Sequence, residues 1–334
     1  MGRDDKMGKI EYRYYDDYRN YPRFPKYSKI IDVSRDDLFK YAVTNGFFNS
    51  KSLSIEEIMF YSSFEEMAIE ENNNSAYISS DGYGGAETSY KNNISFAIGM
   101  IAARIIAEKE YHIPQLFHLN DQSVKYTTIN GKSAPDWFGL DWNNKSFLFE
   151  SKGSSKASGL NSKVKTAKKQ LNSISEIEYL PAKSNGNSED KPEEIEKHAI
   201  ISWFENVGRN SGSRIWHIDD VDPIGEGIVV LEIDFNKQCF DNYKPFLAGL
   251  KSKPDSIMEE EIGQQKYYFI YCMDKKIGIH KNIYDAFVSD KYTEENKYAN
   301  FYKDIKKILS EIKCEKYIKD SSSYEDGIIV CSSK

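Results

Sequence analysis

The sequence predicts an α/β protein with a mixed central sheet flanked by helices. Three observations carry that prediction. Residues 87–111 show a long helical pattern, with Ile94, Ala97, Ile98, Ile101 and Ile105 recurring on one face. β-like stretches at 115–119 and 125–129 follow, then a hairpin pattern over 134–152 that turns at Asn143-Asn144. A second amphipathic helix over 160–175 (Leu160, Val164, Ala167, Leu171 and Ile174 on one stripe) leads to an apolar strand at 199–204. Helix, strands, helix, strand is the order of a sheet covered on both faces.

The chain on either side extends this core. Residues 1–28 alternate aromatic and basic side chains, and Pro22 and Pro25 exclude a regular helix there. The expectation is an arm that packs its rings on the domain or on a second subunit; a nucleic-acid-binding arm is the alternative. Ser34 and Ser54 each read as helix caps, the second with Glu56 and Glu57 in its first turn. Residues 72–85 are polar and glycine-rich and read as a loop, and 182–194 as a polar insertion. Beyond lie strand patterns at 227–235, 267–273 and 326–331 and helical ones at 243–250 and 296–313. The expected divisions are 1–86, 87–204 and 205–334, with the second boundary within 205–226.

Composition narrows the function classes. The 334 residues are 40% hydrophobic and 29% charged, as in an ordinary soluble protein, and are ample for a core. A net charge of -7 argues against a protein that only coats nucleic acid, which would be basic. It leaves open an enzyme that cuts nucleic acid with a local basic surface. Cys239, Cys272, Cys314 and Cys331 are widely spaced without a C-x-x-C, so reduced structural thiols are expected. The charged N-terminus lacks a signal-peptide pattern, and the apolar run 96–107 is short and holds Arg104. A cytoplasmic protein with no membrane partner is expected.

The chemistry concentrates in Pro135-Asp136 and Glu150-Ser151-Lys152. Phosphodiester hydrolysis needs charge stabilised on the phosphate and a hydroxide generated near neutral pH, and a divalent cation supplies both. Mg²⁺ takes oxygen ligands, commonly one or two carboxylates. Asp136 and Glu150 are the natural pair once the hairpin folds. Strand alternation places Glu150 and Lys152 on one side, so the lysine stands beside the attacking water or the phosphate, and the Ser151 carbonyl is a further metal ligand. An isolated acid-x-lysine is usually a solvent-facing pair; here the strand is apolar, and charges at its end need a reason. Asp141 is a weaker alternative to Asp136. His112, His118, His198, His217 and His280 show no metal-ligand spacing and are expected to be structural. Lys156, Lys163, Lys165, Lys168 and Lys169 are either a solvated helix face or phosphate contacts.

With these residues the sequence resembles the PD-(D/E)xK, or restriction-endonuclease-like, nuclease superfamily. The resemblance implies a three-layer αβββαβ core with a mixed sheet over about 87–204, roughly a third of the chain. It implies Mg²⁺, or Mn²⁺, on Asp136 and Glu150, with Lys152 activating or positioning water. It further implies an acid on the first core helix, here Glu87, and a polar residue on the helix after the motif, here Gln170. The expected activity is a Mg²⁺-dependent DNA endonuclease, with RNA not excluded, acting in bacterial restriction or antiphage defence. Such an enzyme would work as a homodimer or with a partner protein, through the C-terminal portion. The alternative is a catalytically silent nuclease-like subunit that binds nucleic acid or protein.

Overall fold

The computed structural model describes residues 7–45, 54–119, 124–127, 135–180, 195–206, 214–225, 227, 229–252, 257–272, 274–289, 300–313, 322–323 and 326–332. The chain opens with β1 (Gly8–Tyr15), β2 (Tyr27–Val33), α1 (Arg35–Asn45), α2 (Ile55–Ala68), β3 (Ile69–Glu71), β4 (Tyr77–Ser79) and α3 (Asp81–Gly85). The middle holds α4 (Thr88–Lys109), β5 (Gln115–His118), β6 (Val124–Thr127), β7 (Trp137–Leu140), β8 (Ser146–Ser154), α5 (Leu160–Leu171), β9 (Ile174–Leu180) and β10 (Ile195–Asn206). Then come β11 (Arg214–Val221), β12 (Val229–Asp234), α6 (Phe235–Ser252), β13 (Met258–Ile262), β14 (Gln265–Cys272) and β15 (Lys275–His280). The described chain ends with α7 (Lys281–Val288), α8 (Phe301–Lys313), β16 (Ser322–Ser323) and β17 (Ile328–Ser332).

Local chemistry explains the helix starts. The Asp37 N–H donates to Ser34 Oγ at 2.9 Å while Asp37 Oδ2 accepts from the Ser34 N–H at 2.8 Å. Ser54 and Glu57 repeat the reciprocal arrangement at α2. The N-terminal arm is sheet: Tyr12 and Tyr15 alternate to opposite faces of β1 and both are buried, as is Tyr21. The aromatics of 1–28 that the structure describes as buried are thus packing surface.

Four expectations change. Residues 72–85 hold β4 and α3, because Asn72 Oδ1 accepts from the Asn74 and Ala76 N–H groups and builds the turn that pairs β3 with β4. The helix expected to 175 ends at Leu171, where the Ser173 N–H and Oγ donate to the Gln170 carbonyl and release Ile174 into β9. The strand expected at 125–129 leaves the main sheet and pairs β12 as β6. Residues 205–226 contain β11, whose partners are far apart in sequence.

The main sheet runs β2-β1-β11-β10-β8-β7-β5, with β3 and β4 attached through β11. It is mixed: β8/β10 and β1/β11 are parallel, and the other neighbours along this path are antiparallel. The expected divisions at 86 and 204 therefore cut through one continuous sheet. Helix α4 covers the face with Phe147, Phe149, Ile200 and Phe204. Helix α5 covers the face with Leu148, Ala199 and Ile201 through Leu160, Val164 and Ala167. Two further sheets, β6-β12-β9 and β13-β14-β15-β17-β16, join the core on the α5 side with α6, α7 and α8. Glycines let α4 lie directly on the end of β8. A Cβ on Gly153 would stand 1.6 Å from the Ser95 carbonyl oxygen, and one on Gly99 2.7 Å from the Gly153 nitrogen. Among the described residues no helix is long and apolar enough to cross a membrane.

A buried ion cluster ties the ends of the chain to this core. Lys40 on α1 has no exposure, and its Nζ is 2.9 Å from both Glu108 Oε2 on α4 and Asp326 Oδ1 before β17. Replacing Lys40 with Ala leaves two acids without their cation and is expected to cost about 3–5 kcal/mol in urea unfolding, with Lys40→Arg costing less. His198 supplies a pH test. Burial alone would lower it, but the Asp220 charge and hydrogen bond, with Glu196 3.5 Å from Nε2, outweigh burial and raise it to about 9. Its stabilisation is complete below about pH 6.5 and is lost as pH rises through about 9. His198→Gln is expected to flatten the stability–pH curve across that window, measured by urea unfolding at each pH.

Candidate active site

The β7–β8 hairpin positions the two acids. Asp141 Oδ1 accepts from the Asn143 and Lys145 N–H groups, each at 2.8 Å, and Asn144 takes φ 66°. Asp141 is therefore the turn residue at the far end of β7, which removes it as a ligand. The antiparallel register pairs Trp137 with Phe149, so Asp136 and Glu150 follow side by side. The Asp136 N–H donates to Glu150 Oε2 at 3.1 Å. Asp136 Oδ2 accepts from the Ser151 N–H at 2.8 Å and from Ser151 Oγ at 2.6 Å. Lys152 Nζ donates to Glu150 Oε1.

Alternation along β8 then sorts the side chains. Ser151 faces α4, where its Oγ lies 2.9 Å from Met100 Sδ. Glu150 and Lys152 project to the α5 side with Leu148. Glu150 has no exposure, and burial, reinforced by the neighbouring Asp136 charge, pushes its carboxyl up to about 8 against the opposing pull of Lys152. Burial also raises Asp136, opposed by its two hydrogen bonds from Ser151. Lys163, on the first turn of α5, is lowered by burial and by the Lys152 charge. The site is thus two desolvated acids with Lys152 between them and solvent, and Lys163 beside it.

These residues fit a hard divalent cation. Buried Glu150 and half-buried Asp136 lie side by side; Lys152 Nζ bonds Glu150, and Asp136 is held by Ser151. Asp136 Oδ1 has no hydrogen-bond donor among the described residues. Within a strand the N–H and C=O of one residue point to the same neighbour. Because the Ser151 N–H points to Asp136, its carbonyl points to that side too, as a third oxygen.

The other expected residues separate. Glu87 is exposed and caps α4, accepting from the Ser89 N–H at 3.0 Å, rather than lying on the buried face. It precedes Ser95, the residue against Gly153, by a helical rise of roughly 12 Å. Gln170 lies on the last turn of α5, two turns beyond Lys163, so the structure does not bring it to the acids. Of the five lysines, Lys163 approaches Lys152; Lys156, Lys165 and Lys169 are exposed. Lys168 sits over the Tyr18 ring, 3.2 Å from its centroid, and so packs the N-terminal segment. Sequence reasoning missed the Ser151 hydroxyl, Met100 and Gly153. The small residue after Lys152 was the available signal for close helix approach. Cys239, Cys272 and Cys331 are buried and not in disulfides, and Cys314 lies outside the described residues.

Comparison of the chain with family models, curated proteins and solved structures finds no match.

The electrostatics predict a measurable coupling. In metal-free protein, Glu150 is expected to titrate near pH 8 by ¹³C-carboxyl NMR or infrared difference spectroscopy. Asp136→Asn removes the adjacent negative charge and should move that titration downward; an unmoved titration would show that the carboxylates do not interact.

Proposed function

We propose that this chain is a metal-dependent nuclease of the PD-(D/E)xK kind that hydrolyses phosphodiester bonds in DNA. The observation that carries the reading is the convergence of Asp136, Glu150 and Lys152 at the end of two adjacent strands. A protein without a use for them would leave no reason to desolvate two acids together. The order α4, β5, β7, β8, α5, β10 supports it. Its pairing is antiparallel, antiparallel, parallel along β5-β7-β8-β10, with one helix on each face. A mixed sheet with helices on both faces is what the resemblance implies, and it supports the reading.

In this reading Asp136 and Glu150, with the Ser151 carbonyl, hold Mg²⁺ or Mn²⁺. The ion when bound supplies Lewis-acid stabilisation of charge on the phosphate and acidifies water. Ser151 fixes Asp136 through two hydrogen bonds, leaving Oδ1 for the cation. The Asp136 backbone orients Glu150 Oε2. Lys152 donates to Glu150, and with Glu150 holding the ion its ammonium would be free to face the attacking water or a non-bridging phosphate oxygen. Lys163 adds a second positive charge on the same side. The first turn of α5, with Gly159 at φ 82° and no side-chain cap, adds N–H donors that favour an anion. The acidic chain as a whole is compatible with this local positive surface.

The test is cleavage of supercoiled plasmid by the full chain in Mg²⁺ or Mn²⁺ against EDTA. Wild type is expected to nick or linearise DNA only with metal. Lys152→Ala and Glu150→Gln should each lose at least about a hundredfold in rate, the scale for removing a proton-transfer or charge-stabilising group. Lys163→Ala should weaken DNA binding with a smaller loss of rate. Intact plasmid in every metal, or equal cleavage by Lys152→Ala, overturns the reading for the isolated chain.

A further inference from the structure

We propose that Glu11, Glu205 and His217 form a second cation site, one that takes a divalent transition-metal ion such as Zn²⁺ or Mn²⁺. The proposal does not rest on the nuclease reading. Three strands from distant parts of the chain build the site. Glu11 on β1 and Trp203 on β10 both register with His217 on β11. Glu205 lies two residues beyond Trp203, on the same side of β10. One ligand atom from each of Glu11, Glu205 and His217 lies within 4.8 Å of the other two.

His217 is what points to a ligand. It is 1% exposed, and neither ring nitrogen has a hydrogen-bond partner among the described residues. Yet Nδ1 lies 2.9 Å from Glu11 Oε2 and Nε2 3.0 Å from Glu205 Oε2. A neutral imidazole carries one N–H, so at most one of these approaches can be a hydrogen bond; the other sets a nitrogen lone pair near a carboxylate oxygen. A cation held by one ring nitrogen and the carboxylates, with the N–H left on the other nitrogen, removes that lone-pair conflict. The Trp203 ring, stacked 4.7 Å from the imidazole at 17°, holds the ring in place.

Arg13 is the rival cation. Its Nη2 is 3.4 Å from Glu11 Oε2 and 3.6 Å from Glu205 Oε2, beyond good hydrogen-bond length. Its guanidinium lies over Trp203, 5.7 Å from the centroid, and Asp219 also draws it. Arg13 can therefore keep Trp203 and Asp219 while a metal takes the glutamates. One nitrogen and two carboxylates suit Zn²⁺ or Mn²⁺ better than Mg²⁺ or Ca²⁺, which prefer oxygen alone. The site shares a sheet face with Glu150 and Lys152 but is separate from them. Ser154 registers with Trp203 and Trp203 with His217, two strand spacings or about 10 Å. A bound ion would cross-link β1, β10 and β11.

The experiment uses the full chain carrying Asp136→Asn, so that the candidate active site contributes no complete acid pair. Zn²⁺ binding to EDTA-stripped protein is measured by titration against a chromophoric chelator and by thermal melting. One Zn²⁺ per chain with a rise in Tm is expected. Adding Glu205→Gln, at a side chain 50% exposed and therefore safe for folding, should weaken binding by at least about tenfold. Adding Arg13→Gln should tighten it. X-ray absorption of the zinc complex should show a single imidazole among oxygen ligands. No binding, binding unchanged by Glu205→Gln, or a shell lacking imidazole overturns the proposal. The plasmid assay is separate, so either reading can fail without the other.

Discussion

The structure depends on the burial of one carboxylate. Glu150 stands in a strand with neighbours on both edges and a helix on each face, and it has no exposure. An acid in that position is tolerated only if other groups answer it. The Asp136 N–H and the Lys152 ammonium do so directly. Asp136 brings its own charge, which raises the cost again, and Ser151 answers that with two hydrogen bonds. The hairpin register, the turn at Asp141 and the close approach of α4 to Gly153 all serve to hold these groups in place. The result is a compact polar node of two carboxylates, a hydroxyl and an ammonium.

The rest of the chain encloses this node rather than standing apart from it. The sheet continues from β10 through β11 to β1 and β2, so the N-terminal arm and the segment after the core share one set of ladders. Lys40, with Glu108 and Asp326, ties α1, α4 and the last sheet together through its buried ammonium. Tyr12 and Tyr111 both donate to Asp220 Oδ2, and His198 approaches Oδ1 at 3.0 Å, beneath the sheet on the α4 side. Such networks satisfy polar atoms that a long, twisted, mixed sheet inevitably buries. They also make the scaffold rigid where the candidate catalytic groups need positioning.

Much of the site could be read from the chain because its chemistry is local. Asp136, Glu150 and Lys152 lie within one hairpin, and a strand's period of two decides which of them share a side. The helices α4 and α5 were legible for a similar reason, since their apolar stripes repeat at helical spacing. Glu87 and Gln170 were not placed by any such rule. Which end of a helix meets the end of a strand depends on how far the helix slides, and here Gly99 and Gly153 set that slide. Of five neighbouring lysines, only packing could tell that Lys163 turns inward while Lys168 covers Tyr18. The strands β1, β4 and β11 escaped notice because they are short, or carry charges and tyrosines whose burial depends on distant partners.

The sequence by itself determined the α/β class, the order of the core elements, the hairpin and the set of two acids and a lysine. All of these follow from periodicity, turn chemistry and residue types within a few positions of one another. The tertiary structure alone decided that one sheet spans all three expected segments, that Ser151 secures Asp136 while α4 presses on Gly153, and that Glu11, Glu205 and His217 meet. Those features join residues up to about two hundred positions apart, and loop closure over such distances leaves no local pattern to read.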